Sequence, residues 1–199
     1  MARRSDHTRD EIKAMALAAA KGIVADHGYR ALTTRKVAAA IGYTVGSLYL
    51  VFDNLDDLVL HINADTLDAL DQALQQVDAR EGDPAARLLA LARAYAQFAR
   101  RNASLWRLVF EHPLPTPRPA WFQVKVERMF AVVERLLRDI CPDRPAEELA
   151  AAARALWSGV HGVTVLAMTE RLDTPDAPAA HELIDSLVTN YLRGYTARA

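Results

Sequence analysis

From residue 8 onward the apolar residues recur every three or four positions, and nowhere do apolar and polar residues alternate for long enough to make a strand. A chain patterned in this way buries its apolar surface only by packing helix on helix, so the expected fold class is all-α. Glycine and proline punctuation divides it into about nine helices over 199 residues. The first opens on Thr8-Arg9-Asp10-Glu11, a capping box in which Thr8 and Glu11 each satisfy an orphan backbone donor, and its expected core stripe is Ile12, Met15, Ala16, Ala19 and Ile23. Gly28 terminates it. Thr33 or Thr34 caps a short second helix with Val37, Ala38 and Ile41 inward, and Gly42 ends that one. A third helix, from Thr44 or Val45 to Phe52, follows after only the Gly42-Tyr43-Thr44 corner, which is the helix-turn-helix spacing.

Asn54 caps a long fourth helix whose inward positions are Leu58, Ile62, Leu67, Leu70, Leu74 and Val77, and Glu81-Gly82-Asp83-Pro84 breaks it. Helices five and six are expected over 85–101 and 103–111. Four prolines at alternate positions in 112–119 remove backbone donors and make a stiff connector. Helices seven, eight and nine are expected over 120–140, 146–170 and 180–197, with the last loop over 173–178. The expected division places a small helix-turn-helix domain at 1–53 and a larger helical domain at 54–199.

Composition narrows the class further. With 51% hydrophobic and 25% charged residues the chain is neither disordered nor fibrous. No uninterrupted run of about 18 apolar residues offers a bilayer span, and the charged N-terminus is unlike a signal peptide, so a cytoplasmic protein without a membrane partner is expected. The single cysteine, Cys141, reads as a bystander, and six scattered histidines show no metal-ligand spacing, so neither metal nor cofactor is expected. The net charge of -1 hides an asymmetry: residues 1–52 hold eight Lys/Arg against four Asp/Glu, and the remainder sixteen against twenty-one. A basic N-terminal segment of about +4 on an otherwise acidic chain is drawn to polyanions, because each neutralised phosphate releases condensed counterions.

The third helix carries the sharpest pattern. At about 100° per residue, Leu48 and Phe52 share one side while Gly46, Ser47 and Leu50 share the other. Leu50 then points away from the core, where it gains nothing in water but could lie against a thymine methyl, with Val45 at the edge of the same surface. Gly46 costs about 1 kcal/mol relative to alanine inside a helix, a cost offset if its bareness lets the helix approach DNA. Thr44, Ser47, Tyr43 and Tyr49 supply hydroxyls for phosphates or base edges. Arg35 and Lys36 lie in the first turn of helix two, where the helix dipole disfavours cations and a nearby polyanion would favour them. Each residue alone reads equally as a solvated surface group, whereas together they point to one surface.

Over Leu32-Thr33-Thr34-Arg35-Lys36-Val37-Ala38-Ala39-Ala40-Ile41-Gly42 and Gly46-Ser47-Leu48-Tyr49-Leu50-Val51-Phe52 the sequence resembles the TetR/AcrR family of regulators. The likeness is close over about the first 60 residues, and nine helices in roughly 200 residues is similar to the family plan. The resemblance implies that Arg35 approaches bases, that Thr34 and Tyr49 hold phosphates, and that Tyr43 to Ser47 read the major groove of double-stranded DNA at a near-palindromic operator. It further implies a dimer, most often a repressor released by a small-molecule effector. One departure stands out: where the family commonly has a lysine just inside helix four, this chain has Leu55, with Asp53, Asp56 and Asp57 around it. Those acids suit a helix start but would repel a phosphate, which shifts affinity toward Arg3 and Arg4 or toward backbone donors at that helix start.

In helix eight, Leu156-Trp157-Ser158-Gly159-Val160-His161-Gly162 resembles the Trp-x-x-x-His-Gly signature of one C-terminal class within the family. Two interior glycines cost about 2 kcal/mol together, so close packing against another backbone is the expected compensation. The resemblance implies that helices eight and nine pair with those of a second subunit as a homodimer. Trp157 and His161 share a face, and His161 reads either as a ligand contact or as a satisfied structural histidine. Together with Phe98, Trp106, Trp121, Met129 and Met168 they form the candidate lining of an apolar effector cavity, although such residues are often plain core. No enzyme motif is present: there is no glycine-rich phosphate loop, no Gly-x-Ser-x-Gly and no His-Glu-x-x-His. The alternative to a regulator is a helical ligand-binding or scaffold protein whose DNA-binding unit has weakened, a reading favoured by Leu55 and the acidic start of helix four.

Overall fold

A computed structural model describes residues 7–78, 82–114, 117–171 and 179–197. Among these residues there are nine α-helices and no strand: α1 (Arg9–His27), α2 (Thr34–Ala40), α3 (Val45–Leu48), α4 (Leu55–Asp78), α5 (Pro84–Arg101), α6 (Ala103–Glu111), α7 (Ala120–Ile140), α8 (Ala146–Met168) and α9 (Ala180–Thr196), with a 3-10 turn at Tyr29–Ala31. The chain forms two compact units. One comprises Met1–Leu67 with Ser104–Phe122, and the other Asp68–Ala103 with Gln123–Ala199. The predicted Glu81 break, the predicted last loop at 173–178, and the Arg3-Arg4 arm lie outside the described residues.

In the first unit the predicted capping box is present: Thr8 accepts from the Glu11 backbone N–H at 3.3 Å while Glu11 accepts from the Thr8 backbone N–H at 2.6 Å. The buried stripe of α1 is Ile12, Ala16, Ala20 and Val24. It is rotated from the expected one, and Met15, Ala19 and Ile23 are only half-buried. Strict four-residue spacing of small side chains lets α1 sit close to its neighbours, so the core is built on alanines that carry little hydropathy signal. Val37, Ala38, Leu48, Phe52, Leu58, Val59, Ile62 and Leu108 close that core. Gly28 and Gly42 take left-handed conformations, φ 75° and 74°, which makes them the helix terminators that the sequence predicts.

The third helix is shorter than predicted. Regular α geometry ends at Leu48, after which Leu50 and Val51 donate to carbonyls only three residues back, at 3.3 and 3.0 Å. A tightened last turn is a common way to use the carbonyls at a helix end, and it keeps Phe52 on the core side.

In the second unit α8 packs on α9, and α5 packs on both. Leu88, Leu91 and Tyr95 of α5, Leu149, Leu156 and Val160 of α8, and Ile184 and Val188 of α9 are buried there. The second half of α4 meets α7 through a ladder of ion pairs. Lys125 reaches Asp68 at 2.6 Å, Arg128 reaches Asp71 at 3.8 Å, and Arg135 pairs with Asp78. The constant sequence offset of these rungs means that α4 and α7 run parallel in a fixed register. Val77, expected inward on α4, is half-exposed.

Two features of α8 bear on its packing and its hydropathy. A Cβ on Gly159 would meet the Leu187 side chain of α9 at 2.9 Å, whereas one on Gly162 would meet nothing within 4 Å. Within the chain the close approach is therefore to a side chain and at Gly159 only. In addition, Ala146–Met168 is long and apolar enough to cross a membrane by length and composition, with mean hydropathy 1.2 over its most apolar window and only 33% of that window buried. Alanines and valines around the single Arg154 raise the average without forming an uninterrupted apolar run.

Candidate nucleic-acid interface

The geometry of the first unit follows from three capped helix starts. At α2 the Thr33 hydroxyl accepts from the Lys36 backbone N–H at 3.2 Å, which fixes the first turn and leaves Arg35 and Lys36 exposed on it. Among the described residues no carboxylate pairs with either cation. Two uncompensated positive charges therefore stand at the positive end of a helix dipole, where they repel it unless an anion arrives.

Between α2 and α3 the corner is held by Gly42 and by the Tyr43 backbone N–H, which donates to the Ala38 carbonyl at 2.9 Å. Thr44 then caps α3, accepting from the Ser47 backbone N–H at 3.2 Å, with the two hydroxyl oxygens 3.0 Å apart. The predicted wheel is realised: Leu48 and Phe52 are 2% and 4% exposed, whereas Tyr49 and Leu50 are 52% and 60% exposed. Val45 is half-buried against the core. A Cβ on Gly46 would find no closer neighbour than the Thr44 hydroxyl at 3.7 Å, so packing within the chain does not require glycine there. The Tyr43 hydroxyl lies 2.7 Å from Nδ1 of His7, a contact that sequence reasoning missed and that ties the approach to α1 to this corner.

The acids at the start of α4 have partners of their own. The Asn54 side chain accepts from the Asp57 backbone N–H at 2.9 Å, and the Asp57 carboxylate accepts from the Asp53 backbone N–H at 3.1 Å. Asp56 pairs with Nε2 of His112 at 2.9 Å. Leu55 packs against the core of the first unit. Leu55, Asp56 and Asp57 thus have local structural reasons, and two backbone donors that could have met a phosphate are already used.

The candidate effector residues fall into both units. Trp106 and Trp121 belong to the first. Trp106 is buried, edge-on to Phe110 at 4.8 Å, and Trp121 is 41% exposed and stacked on His61 at 5.0 Å. Burial, reinforced by the Lys13 ammonium 3.1 Å from Nε2, pushes His61 below the ordinary histidine range. Phe98, Met129, Trp157, His161 and Met168 belong to the second unit, all half-buried. There His161 stacks on Trp157 at 5.1 Å, and Trp157 meets Phe130 edge-on at 5.6 Å.

Nδ1 of His161 lies 2.7 Å from the Tyr95 hydroxyl, and burial lowers the histidine pKa. Burial pushes the Tyr95 hydroxyl far up, so it keeps its proton, and a hydrogen bond from Trp157 opposes that only in part. An indole N–H can only donate, so the Tyr95 hydroxyl donates onward to a neutral His161. Tyr95 and Phe130 were missing from the sequence-derived set, although Tyr95 carries the one hydroxyl on the buried stripe of α5.

A family model described as bacterial regulatory proteins, tetR family, matches residues 16–62, which span the three capped helix starts. A second, described as the tetracyclin repressor-like C-terminal domain, matches residues 88–191, more than half of the chain. The chain belongs to the tetR family. As a family member it is a transcriptional regulator, with the N-terminal DNA-binding unit and C-terminal helical domain that the family models describe. The HTH-type transcriptional activator FasR of Mycolicibacterium smegmatis is 30% identical over 118 residues, which cover 59% of this chain and 54% of that one. The chain therefore matches only about half the length of this curated relative. Among solved structures, the TetR family transcriptional regulator PfmR from Thermus thermophilus superposes with a TM-score of 0.62 at 20% identity, covering 89% of this chain and 97% of that one. AibR, solved in complex with isovaleryl coenzyme A and operator DNA, superposes with a TM-score of 0.62 at 19% identity, covering 90% and 97%. At such identities these structures share the fold.

Proposed function

We propose that this regulator binds a near-palindromic operator in double-stranded DNA as a homodimer and represses nearby genes until a small-molecule effector releases it. The observation that carries the reading is the outward face of α3 and the turn after it, where Gly46 is unpacked and Leu50 is 60% exposed, together with the Arg35 and Lys36 cations at the start of α2, which have no carboxylate partner among the described residues. In this reading Tyr43 to Ser47 and Leu50 face the major groove, with the Tyr43 and Thr44 hydroxyls reaching phosphates or base edges, Arg35 approaches base edges, and Thr33, Thr34, Lys36 and Tyr49 hold phosphates. Residues 1–53 then act as the DNA-reading domain and 54–199 as the effector-binding and dimerisation domain.

Dimerisation through α8 and α9 is supported by the unburied apolar surface of α8, where Val165 and Leu166 are 37% and 42% exposed. A self-complementary interface there would cover the same patch twice. The effector site is assigned to the Tyr95, Trp157 and His161 cluster, with Phe98, Met129 and Met168 as further candidates. The protein works in the cytoplasm without a catalytic step. A second reading, activation in place of repression, is favoured by the name of the M. smegmatis relative.

Footprinting on the intergenic DNA upstream of the protein's own gene, across salt concentrations, tests the proposal. Protection of two half-sites about one helical turn apart is expected, with log affinity falling by about 0.9 per phosphate contact for each unit of log salt. A chain that protects no duplex at low salt is not the regulator described here. A reporter fused downstream of the site separates repression from activation.

A further inference from the structure

We infer that the cleft between α5 and the start of α9 binds an organic anion with an apolar body, its charged group held by Arg100 and Arg101. The cleft has a volume of about 970 Å³, and Ala90, Ala94 and Ile184 contribute apolar lining. That volume lies within the range of small-molecule sites. Arg100 and Arg101 stand on its wall, both exposed. Among the described residues neither has a carboxylate partner, although the chain beyond residue 52 carries more acids than bases.

One acid on α9, Asp185, is already committed. Arg93, also on the wall, takes both oxygens of Asp185, with Nε at 2.6 Å from Oδ1 and the second bond from its terminal nitrogen. This fork neutralises Asp185, whose pKa is lowered by the hydrogen bond to Arg93. Among the described residues the cleft therefore keeps two guanidinium groups with no carboxylate partner beside an apolar surface, with Gln97 and His181 adding polar contacts. The position of Arg100 and Arg101 in the last turn of α5 suits the helix dipole, but that alone gives no reason for an apolar floor beside them. Planar guanidinium forks match phosphate and carboxylate oxygens in pairs, and the floor takes the hydrocarbon.

The inference adds an anion site separate from the Tyr95, Trp157 and His161 cluster, and it rests on the proposed regulator only for any effect on DNA. Calorimetric titration of the full chain with octyl phosphate, octanoate, inorganic phosphate and octanol tests the site. Octyl phosphate or octanoate is expected to bind saturably and at least tenfold more tightly than inorganic phosphate or octanol, and the better of the two identifies the headgroup. Arg100→Ala with Arg101→Ala should weaken that binding by about tenfold per arginine. The double Arg→Lys variant should lose less, and Arg138→Ala, on α7, should change nothing.

Both arginines are exposed, so the variants should fold, as circular dichroism would verify. The inference is overturned if amphipathic anions bind the double alanine variant as tightly as the native chain, if octanol binds as well as octyl phosphate, or if no probe binds. Footprinting on the same samples keeps the two readings apart. Anion binding without operator protection would sink the regulator while leaving the cleft site standing, and the reverse result would do the opposite.

Discussion

Leu48 and Leu50 sit within one turn of each other, and truncating each to alanine should give opposite results in two assays. Leu48 is 2% exposed in the first-unit core, so Leu48→Ala should cost about 2–5 kcal/mol of stability. Leu50 is 60% exposed, so less than half of its side chain contributes to folding, and Leu50→Ala should cost under about 1 kcal/mol. Converted at about 2–4 °C per kcal/mol for a chain of this size, the first variant should melt roughly 4–20 °C lower and the second within about 4 °C of the native protein.

On operator DNA the ranking reverses in kind. Covering the exposed part of Leu50 against a thymine methyl contributes about 1 kcal/mol in each half-site, so Leu50→Ala in both subunits should weaken the dissociation constant by about 30-fold and relax selectivity at one position in each half-site. Differential scanning fluorimetry and fluorescence anisotropy on the operator and on a site with that thymine replaced by uracil measure both quantities. If Leu50→Ala melts like Leu48→Ala, or binds both duplexes as tightly as the native protein does, the assignment of that face to DNA is wrong.

Three further predictions concern the scaffold. His61 and His161 both sit below the ordinary histidine value of 6.5, chiefly through burial, so the unfolded chain binds more protons than the folded one once pH falls below that value. Stability is then full above about 6.5 and lost as pH falls through the folded values; urea midpoints between pH 7.5 and 5 should decline, less steeply in His161→Gln. Lys125→Asp would face Asp68 with a like charge and should lower stability by about 0.5–1 kcal/mol, modest because the pair is partly solvated, and adding Asp68→Lys should restore most of it in the same urea assay. Both polar atoms of the Asn63 side chain are buried without a hydrogen-bond partner, so Asn63→Leu should raise stability by about 1–2 kcal/mol; a fall instead would mean that a buried water satisfies the amide.

Features set by local chemistry were legible in the sequence. Thr8 with Glu11, the Gly28 and Gly42 terminators, and the opposed faces of Leu48 and Leu50 all follow from rules that span a few residues. What sequence reading misplaced depends on partners far along the chain. The α1 stripe rotated because alanines 16 and 20 are chosen for close approach, which hydropathy cannot register. The link from His161 to Tyr95 spans 66 residues and that from His112 to Asp56 spans 56, so neither leaves a local trace. One long-range feature did leave a readable signal. Asp68, Asp71 and Asp78 repeat the spacing of Lys125, Arg128 and Arg135, and matching charge intervals of opposite sign predict two parallel helices in register.

The threonine hydroxyls that start α2 and α3 each accept from their own backbone, which leaves the Thr33 hydrogen to be given elsewhere and the Thr44 hydrogen to be shared with or released from the Ser47 hydroxyl 3.0 Å away. Aspartate caps a helix as well as threonine does, but it has no hydrogen to give and brings a negative charge. Thr33→Asp and Thr44→Asp would therefore be silent to the fold and, in the proposed complex, hostile to a phosphate. Drift at these two sites is free in one direction only: a lineage that stopped needing DNA could accept the acid without losing the scaffold, and one that still needs it could not.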